Sequence, residues 1–266
     1  MGGVSKRNQT ILQKEERKMR LIIEKRSTFT VKPPAFLCDK KIHDQVVDPL
    51  PNRPFFMAII GSSGTGKTSM LVNLLSSKQA YRRAFHHVHV VMPPHSVASL
   101  KRNIFKNHDM MYDELDIGTL EGIREAVKQS AEQEKNSLLV LDDVTASLKD
   151  NEIQHSIRDL IYNRRHYRLS IIILIQSYNA MPLGIRKTLS HFLMYKPRNK
   201  KETTAIFEEL IALPREEADE VMRFVFDRPY AFMFADTGTG DLYKNFDRIG
   251  KHDAATENQT LETDSG

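Results

Sequence analysis

The sequence predicts an α/β fold in three layers, with helices covering both faces of a mostly parallel central sheet. Three observations predict it. Short unbroken apolar runs recur at residues 55–60, 88–92, 138–141 and 171–175, the pattern of strands buried on both faces. Segments of helix-favouring composition alternate with those runs, as strand–helix–strand units require. Three of the runs end in glycine, aspartate or glutamine, residue types suited to binding at strand ends.

The elements follow in order. Residues 1–34 form a basic N-terminal arm, with a possible helix at 11–25 that lacks an apolar stripe. Pro33 and Pro34 end it, because proline disfavours helix in the residue before it. The arm reads either as a docking extension or as a plain solvated tail. Residues 35–250 form the folded domain. Strand 55–60 runs into a glycine-rich loop, and a helix follows at 68–75. Strand 88–92 stops at Pro93 and Pro94. A helix at 121–134 leads to strand 138–141, which ends in Asp142 and Asp143. A helix at 152–162 precedes strand 171–175, which ends in Gln176, and a short strand follows at 192–195. Pro214 opens a helix whose first turn holds Glu216 and Glu217, in keeping with the helix dipole. Segments 230–235 and 242–246 flank Thr237-Gly238-Thr239-Gly240 as a terminal hairpin. Residues 251–266 read as a disordered, acid-leaning tail.

Composition sets outer bounds. A chain of 266 residues suits one large α/β domain with tails, or two small domains. No run of about 18 apolar residues is present, so no membrane-spanning helix is expected. Cys38 is the single cysteine, which rules out an internal disulfide and suits a reducing compartment. The net charge of +5 is compatible with a polyanionic partner without being diagnostic of one.

The strongest motif is Gly61-Ser62-Ser63-Gly64-Thr65-Gly66-Lys67-Thr68, followed by Ser69. It satisfies the full G-x-x-x-x-G-K-[ST] pattern between a strand and a helix. Its glycines let consecutive backbone N–H groups turn inward toward phosphate oxygens, and the helix N-terminus adds positive potential. Lys67 supplies a charge for the β- and γ-phosphates of ATP, and Thr68 a hydroxyl for Mg²⁺. Asp142 is the acidic residue such a loop needs at a neighbouring strand end, as the metal-holding carboxylate. Asp143 follows as the group that orients or deprotonates attacking water, unless it caps the next segment. Gln176 can donate to phosphate and accept from water, or can be a turn residue. The cluster Asn163-Arg164-Arg165-His166-Tyr167-Arg168 offers an arginine for a neighbouring subunit's γ-phosphate. The plainer alternative is a solvated basic helix end.

Other clusters carry less. His86, His87 and His89 crowd one strand, with His87 and His89 on one face, but lack the further ligands that zinc needs. Asp109, Asp113, Glu114 and Asp116 read as a solvated acidic loop. Arg198, Lys200 and Lys201, with Lys101, Arg102 and Lys106, form a basic set suited to DNA phosphates, though a plain solvated surface is the simpler account of any one of them.

The spacing of Gly61 to Thr68, Asp142-Asp143, Arg165-His166 and Ile171 to Gln176 resembles the FtsK/HerA-type DNA pumps. It is more closely similar to the genome-packaging ATPases of large DNA viruses, such as poxviruses and their giant-virus relatives. The stretch from Arg165 through Tyr178 carries much of the likeness, which extends from about Phe55 to Phe246. The resemblance implies an additional-strand, catalytic-carboxylate P-loop fold, with Walker A at the glycine loop and Walker B at Asp142. It implies ATP hydrolysis with Mg²⁺, a sensor role for Gln176, and Arg165 as the arginine acting in trans. It further implies a homo-oligomeric ring, a pentamer or hexamer by analogy, that drives double-stranded DNA into a capsid. The implied partners are the duplex and a capsid or portal-vertex protein, in the virion and the viral factory of the host-cell cytoplasm. Alternatives are a related helicase or replication ATPase, and a nucleotide-switched virion assembly protein. One departure stands out: cellular members usually carry Asp-Glu at the second motif, and this chain has Asp142-Asp143, the second residue one methylene shorter.

Overall fold

The computed structural model describes residues 40–98 and 110–250. The basic arm, Cys38, Lys101, Arg102, Lys106, Asp109 and the acidic tail lie outside the described residues.

The chain order is β1 (Phe56–Ile60), α1 (Lys67–Ser76), β2 (His87–Val91), α2 (Pro94–Ala98), β3 (Met111–Tyr112), α3 (Ile117–Glu132) and β4 (Ser137–Asp142). It continues with α4 (Asn151–Asn163), β5 (Leu169–Ile175), α5 (Leu183–Arg186), β6 (His191–Tyr195), α6 (Lys200–Ile206) and α7 (Arg215–Val225). A terminal meander, β7 (Phe232–Asp236), β8 (Leu242–Lys244) and β9 (Asp247–Arg248), ends the described chain. Among the described residues the sheet has nine strands in the order β3-β2-β4-β5-β1-β6-β7-β8-β9. The first six in that order run parallel, and β6 to β9 pair antiparallel. The predicted α/β class is therefore the observed one, and β5 stands between the P-loop strand β1 and the aspartate strand β4.

The unbroken apolar runs have the predicted cause. Every residue of β1, β4 and β5 is buried, because helices cover both faces. Phe56, Ala58, Leu139, Leu141, Ile171 and Ile173 share one core with Leu120, Ile123 and Val127 of α3 and Ile157, Leu160 and Ile161 of α4. Met57, Ile59, Leu138, Val140, Ile172 and Leu174 share the other with Leu71 and Leu74 of α1. Alternate residues of each strand thus feed opposite layers, as the period of two requires. Each fully buried Ile or Leu stabilises the fold by roughly 2 kcal/mol.

One reading needs correction, and with it one helix boundary. The acidic stretch is not simply a solvated loop, since the Asp116 carboxylate accepts from the Thr119 N–H at 2.6 Å and caps α3. The helix consequently begins at Ile117, before the predicted 121. Pro93 and Pro94 do stop β2, but Pro94 also opens α2, since a proline at the first helical position forfeits no hydrogen bond. No helix among the described residues is long and apolar enough to cross a membrane.

Candidate nucleotide-binding site

The site is built where parallel strands end. Ile60 lies opposite Ile175, and Asp142 opposite Leu174, so β1, β5 and β4 stop at nearly the same level. The Gly61 N–H donates to the Ile175 carbonyl at 3.1 Å, extending the ladder one residue into the loop. Gly61, the following loop, Gln176 and Asp143 therefore emerge on one edge of the sheet.

The loop geometry dictates its glycines. A side-chain carbon on Gly61 would stand 2.6 Å from Thr65 Oγ1 and 3.1 Å from Tyr195 Cβ, so any larger residue would force Thr65 and Tyr195 to shift. Gly66 holds φ at +101°, a region costly for residues with a Cβ. The Thr65 hydroxyl donates to the Ser62 carbonyl at 2.8 Å and tightens the turn. The N-terminus of α1 has no side-chain cap and no acidic residue in its first turn. By contrast α3, α4 and α6 are capped by Asp116, Asp150 and Asn199. The exposed amides and dipole of α1 form an anion-binding end.

Ser63, Gly64, Gly66, Lys67, Thr68, Ser69, Asp142, Asp143 and Gln176 line one open cleft of about 410 Å³, together with Ser96, Thr145 and Leu174. The structure thus brings together six of the predicted P-loop residues with the aspartate pair and the glutamine, while Gly61, Ser62 and Thr65 do not line the cleft. Lys67 Nζ donates to the Gly61 and Ser62 carbonyls at 2.7 and 3.2 Å, folded back over its own loop. Burial lowers the proton affinity of that ammonium, and Asp142 and Asp143 oppose the shift. Burial raises the Asp142 carboxyl to about 6, with Lys67 opposing and Asp143 adding to the rise. A buried carboxylate and a hydroxyl lining the same cleft, with one ammonium for compensation, are a hard oxygen-donor set that fits Mg²⁺.

Asp143 differs from its neighbour. It is exposed, holds φ at +56°, and its Oδ2 lies 3.1 Å from His95 Nε2 on α2. The cap of α4 is Asp150, whose carboxylate accepts from Glu152 and Ile153, so Asp143 does not cap that helix. Sequence reasoning missed His95, Ser96 and Thr145 at this site.

Gln176 is exposed at the cleft, and the residues after it are firmly anchored. The Tyr178 N–H donates to the buried Glu202 carboxylate, and the Tyr178 hydroxyl donates to Glu209 at 2.9 Å. Arg186 grips Glu209 through two bonds of 2.8 and 2.6 Å. None of these partners was expected from the sequence.

The arginines stand elsewhere. Arg164, Arg165 and Arg168 precede β5, at the end of the sheet opposite the cleft, with seven strand residues intervening. That separation is roughly 20 Å. Arg164 donates to the Ile161 carbonyl at 2.9 Å, and burial lowers its proton affinity, with Arg165 adding to the effect. Arg168 lies 3.9 Å from Glu134 with its side chain mostly buried. Arg165 is exposed, and its side chain makes no hydrogen bond or ion pair among the described residues. Arg198, Lys200 and Lys201 are exposed after β6, on the same sheet edge as the P-loop. His89 is buried in β2 with its Nδ1 3.4 Å from the Tyr112 hydroxyl.

Comparisons with known proteins agree with this architecture. The DNA packaging protein OPG160 of vaccinia virus (strain Copenhagen) is 29% identical over 146 residues, 53% of each chain. Its monkeypox virus counterpart is also 29% identical over 146 residues, covering 53% of this chain and 48% of that one. The chain spans about half the length of the curated relatives it matches. Among solved structures, the genome packaging NTPase B204 from Sulfolobus turreted icosahedral virus 2, in complex with AMP, is similar in fold. Its TM-score is 0.55 at 15% identity, covering 74% of this chain and 98% of that one. The model of the family described as Poxvirus A32 protein matches residues 43–208. With that match covering more than half of its 266 residues, the chain belongs to the poxvirus A32 protein family.

Proposed function

We propose that this chain is an ATP-driven translocase of double-stranded DNA that packages a viral genome into its capsid. The observation that carries the reading is the convergence of Lys67, Thr68, Asp142, Asp143 and Gln176 on one cleft at level strand ends. The names of the relatives support the direction of the work done with ATP.

Each residue has a task. The loop amides from Gly61 to Ser69 cradle the phosphates, and Lys67 leaves its own carbonyls to meet the β- and γ-phosphates. Thr68 and Asp142 would hold Mg²⁺, which when bound neutralises charge on the phosphate oxygens. Asp143 orients the attacking water and takes its proton. Gln176 senses the γ-phosphate, and the anchored segment behind it carries the change toward α6. Arg165 acts on a neighbouring chain's nucleotide, a reading supported by its exposure and its lack of an ion pair among the described residues. That role requires a homo-oligomeric ring, of five or six chains by analogy. Arg198, Lys200 and Lys201 contribute phosphate contacts to the duplex. Residues 35–250 form the motor domain, and a capsid or portal-vertex protein is its docking partner. The setting is the virion and the viral factory.

The test is ATP turnover by the assembled protein with and without duplex DNA. The reading expects stimulation by duplex that declines steeply with salt, because the contacts are to phosphate. Turnover indifferent to duplex, with ATP-dependent binding to capsid protein, would instead favour an assembly switch.

A further inference from the structure

A second cavity, of about 460 Å³, adjoins the first on the other side of the P-loop. Ser63 and Gly64 line both cavities. The rest of the second wall comes from Thr65, from Tyr195 and Lys196 at the end of β6 and from the loop 226–231 before β7. Strand order explains the adjacency: β6 is the neighbour of β1 on the side away from β5, and β7 follows it. The P-loop thus sits between two hollows of different character. One is polar and holds both aspartates and Gln176. The other combines the rings of Tyr195, Phe226 and Tyr230 and the proline Pro229 with the charged Lys196, Asp227 and Arg228.

We propose that the second cavity is the nucleoside subsite, in which a purine base stacks on Tyr230. The inference rests on the reading of the P-loop as a nucleotide site and extends it to the part of the ligand which that reading leaves unassigned. The γ end of a triphosphate belongs with Asp142, Asp143 and Gln176. The nucleoside must then leave the loop in the opposite direction, past Ser63 and Gly64, and that path opens into the second cavity. Its volume suits one small organic ligand.

Tyr230 is the side chain best suited to receive a base. It is 75% exposed, the most exposed large hydrophobic residue among those described, although aromatic rings usually bury much of their area. Its φ is +62°, a conformation that a bulky non-glycine residue adopts at a cost. The loop therefore holds the ring out beside the cavity at the expense of both solvation and backbone energy. Tyr195 forms the floor, its hydroxyl donating to the Gly66 carbonyl at 3.4 Å and tying the second cavity to the P-loop. The Asp227 carboxylate, which also lines the cavity, accepts from Lys244 through Oδ2 at 2.6 Å. Stacking itself tolerates either purine, since both offer a π face.

The test compares Mg-ATP with Mg-tripolyphosphate by calorimetry on the full chain, as wild type, Tyr230→Ala and Tyr230→Phe. Wild type is expected to bind ATP at least about tenfold more tightly than tripolyphosphate. Tyr230→Ala is expected to lose about tenfold for ATP while leaving tripolyphosphate unchanged, and Tyr230→Phe to bind as wild type, at the scale of one base stacked on one ring. Equal affinity of wild type for the two ligands, or ATP affinity indifferent to Tyr230→Ala, would overturn the subsite while leaving the phosphate site intact. Failure of wild type to bind either ligand would overturn the P-loop reading itself, and the subsite with it.

Discussion

His95 Nε2 lies 3.1 Å from Asp143 Oδ2, so the carboxylate assigned to water activation already has a partner, and that partner belongs to α2. A carboxylate engaged by an imidazole is a poorer acceptor for a water proton. Movement of α2 would release it, which gives the segment after β2 a grip on the chemistry. Both side chains are substantially exposed, at 74% and 40%, and such pairs are worth about 1 kcal/mol or less. His95→Ala should accordingly raise basal ATP turnover by about two- to fivefold, the rate equivalent of that energy, and shrink the stimulation by duplex. Steady-state phosphate release with and without DNA measures both. Basal turnover at or below the wild-type rate would assign His95 a different task.

Asp142 should show opposite effects on stability and on function. Its carboxyl is buried and raised to about 6, so the ligand-free protein at pH 7 carries a charge that its surroundings disfavour. Asp142→Asn removes that charge with little change of shape. The ligand-free variant should be more stable by on the order of 1–3 kcal/mol, which raises the melting temperature by roughly 5 °C. Mg²⁺-dependent turnover should fall by at least about 100-fold, the scale of losing one contribution to transition-state charge, here the ion that Asp142 would hold. Thermal melts without ligand, paired with turnover assays, separate the two. A variant less stable than wild type would mean that the carboxylate has a structural partner of its own.

The parts of this site legible in the sequence are those carried by contiguous residues. Gly61 to Thr68 declares itself because backbone curvature and phosphate chemistry demand glycine, lysine and threonine at adjacent positions. Asp142 and Gln176 are legible because each ends an apolar run long enough to be recognised as a buried strand. His95 is not, since it meets Asp143 only through the pairing of β2 with β4, where Val91 lies opposite Leu141, and through the turn made by Pro93 and Pro94. Tyr195 and Tyr230 reach the P-loop only because β6 and β7 follow β1 across the sheet, an order that no local pattern encodes. β3, at two residues, is too short to show any period. Asp116 was misread for a related reason: a cap differs from a loop acid only in where the next amides point.

Acid sensitivity should trace in part to His89. Burial pushes its imidazole down to about 4, with His87 contributing in the same direction. The unfolded chain takes up its proton near 6.5. Between those values the unfolded state binds more protons, so stability rises with pH across the window and is lost as pH falls from about 6.5 toward 4. The full contribution of His89 is on the order of 3 kcal/mol. His87, also held low chiefly by burial, adds to the same slope. Replacing His89 with Phe should flatten the decline between pH 7 and pH 4.5 without altering the behaviour of the carboxylates. Urea titrations of both proteins across that range provide the comparison, and parallel curves would mean that His89 protonates without unfolding pressure.

The arginine assignment is decided by mixing. If Arg165 serves a neighbour's nucleotide, Arg165→Ala should bind ATP normally as isolated chains and lose assembled turnover by about 1,000-fold or more, the scale of an arginine supplied in trans. Lys67→Ala should be inactive for the separate reason that its own loop no longer holds the phosphates. Each variant keeps what the other lacks. In an equal mixture of chains forming head-to-tail interfaces, roughly a quarter of the interfaces combine an intact loop with an intact arginine, and turnover should recover accordingly. An arginine acting within its own chain predicts no recovery, because every chain in the mixture would still carry one lesion in its own site. Full activity of Arg165→Ala alone would move the role to another arginine. Arg164 and Arg168 would first have to give up the Ile161 carbonyl and the Glu134 contact that hold them in this structure.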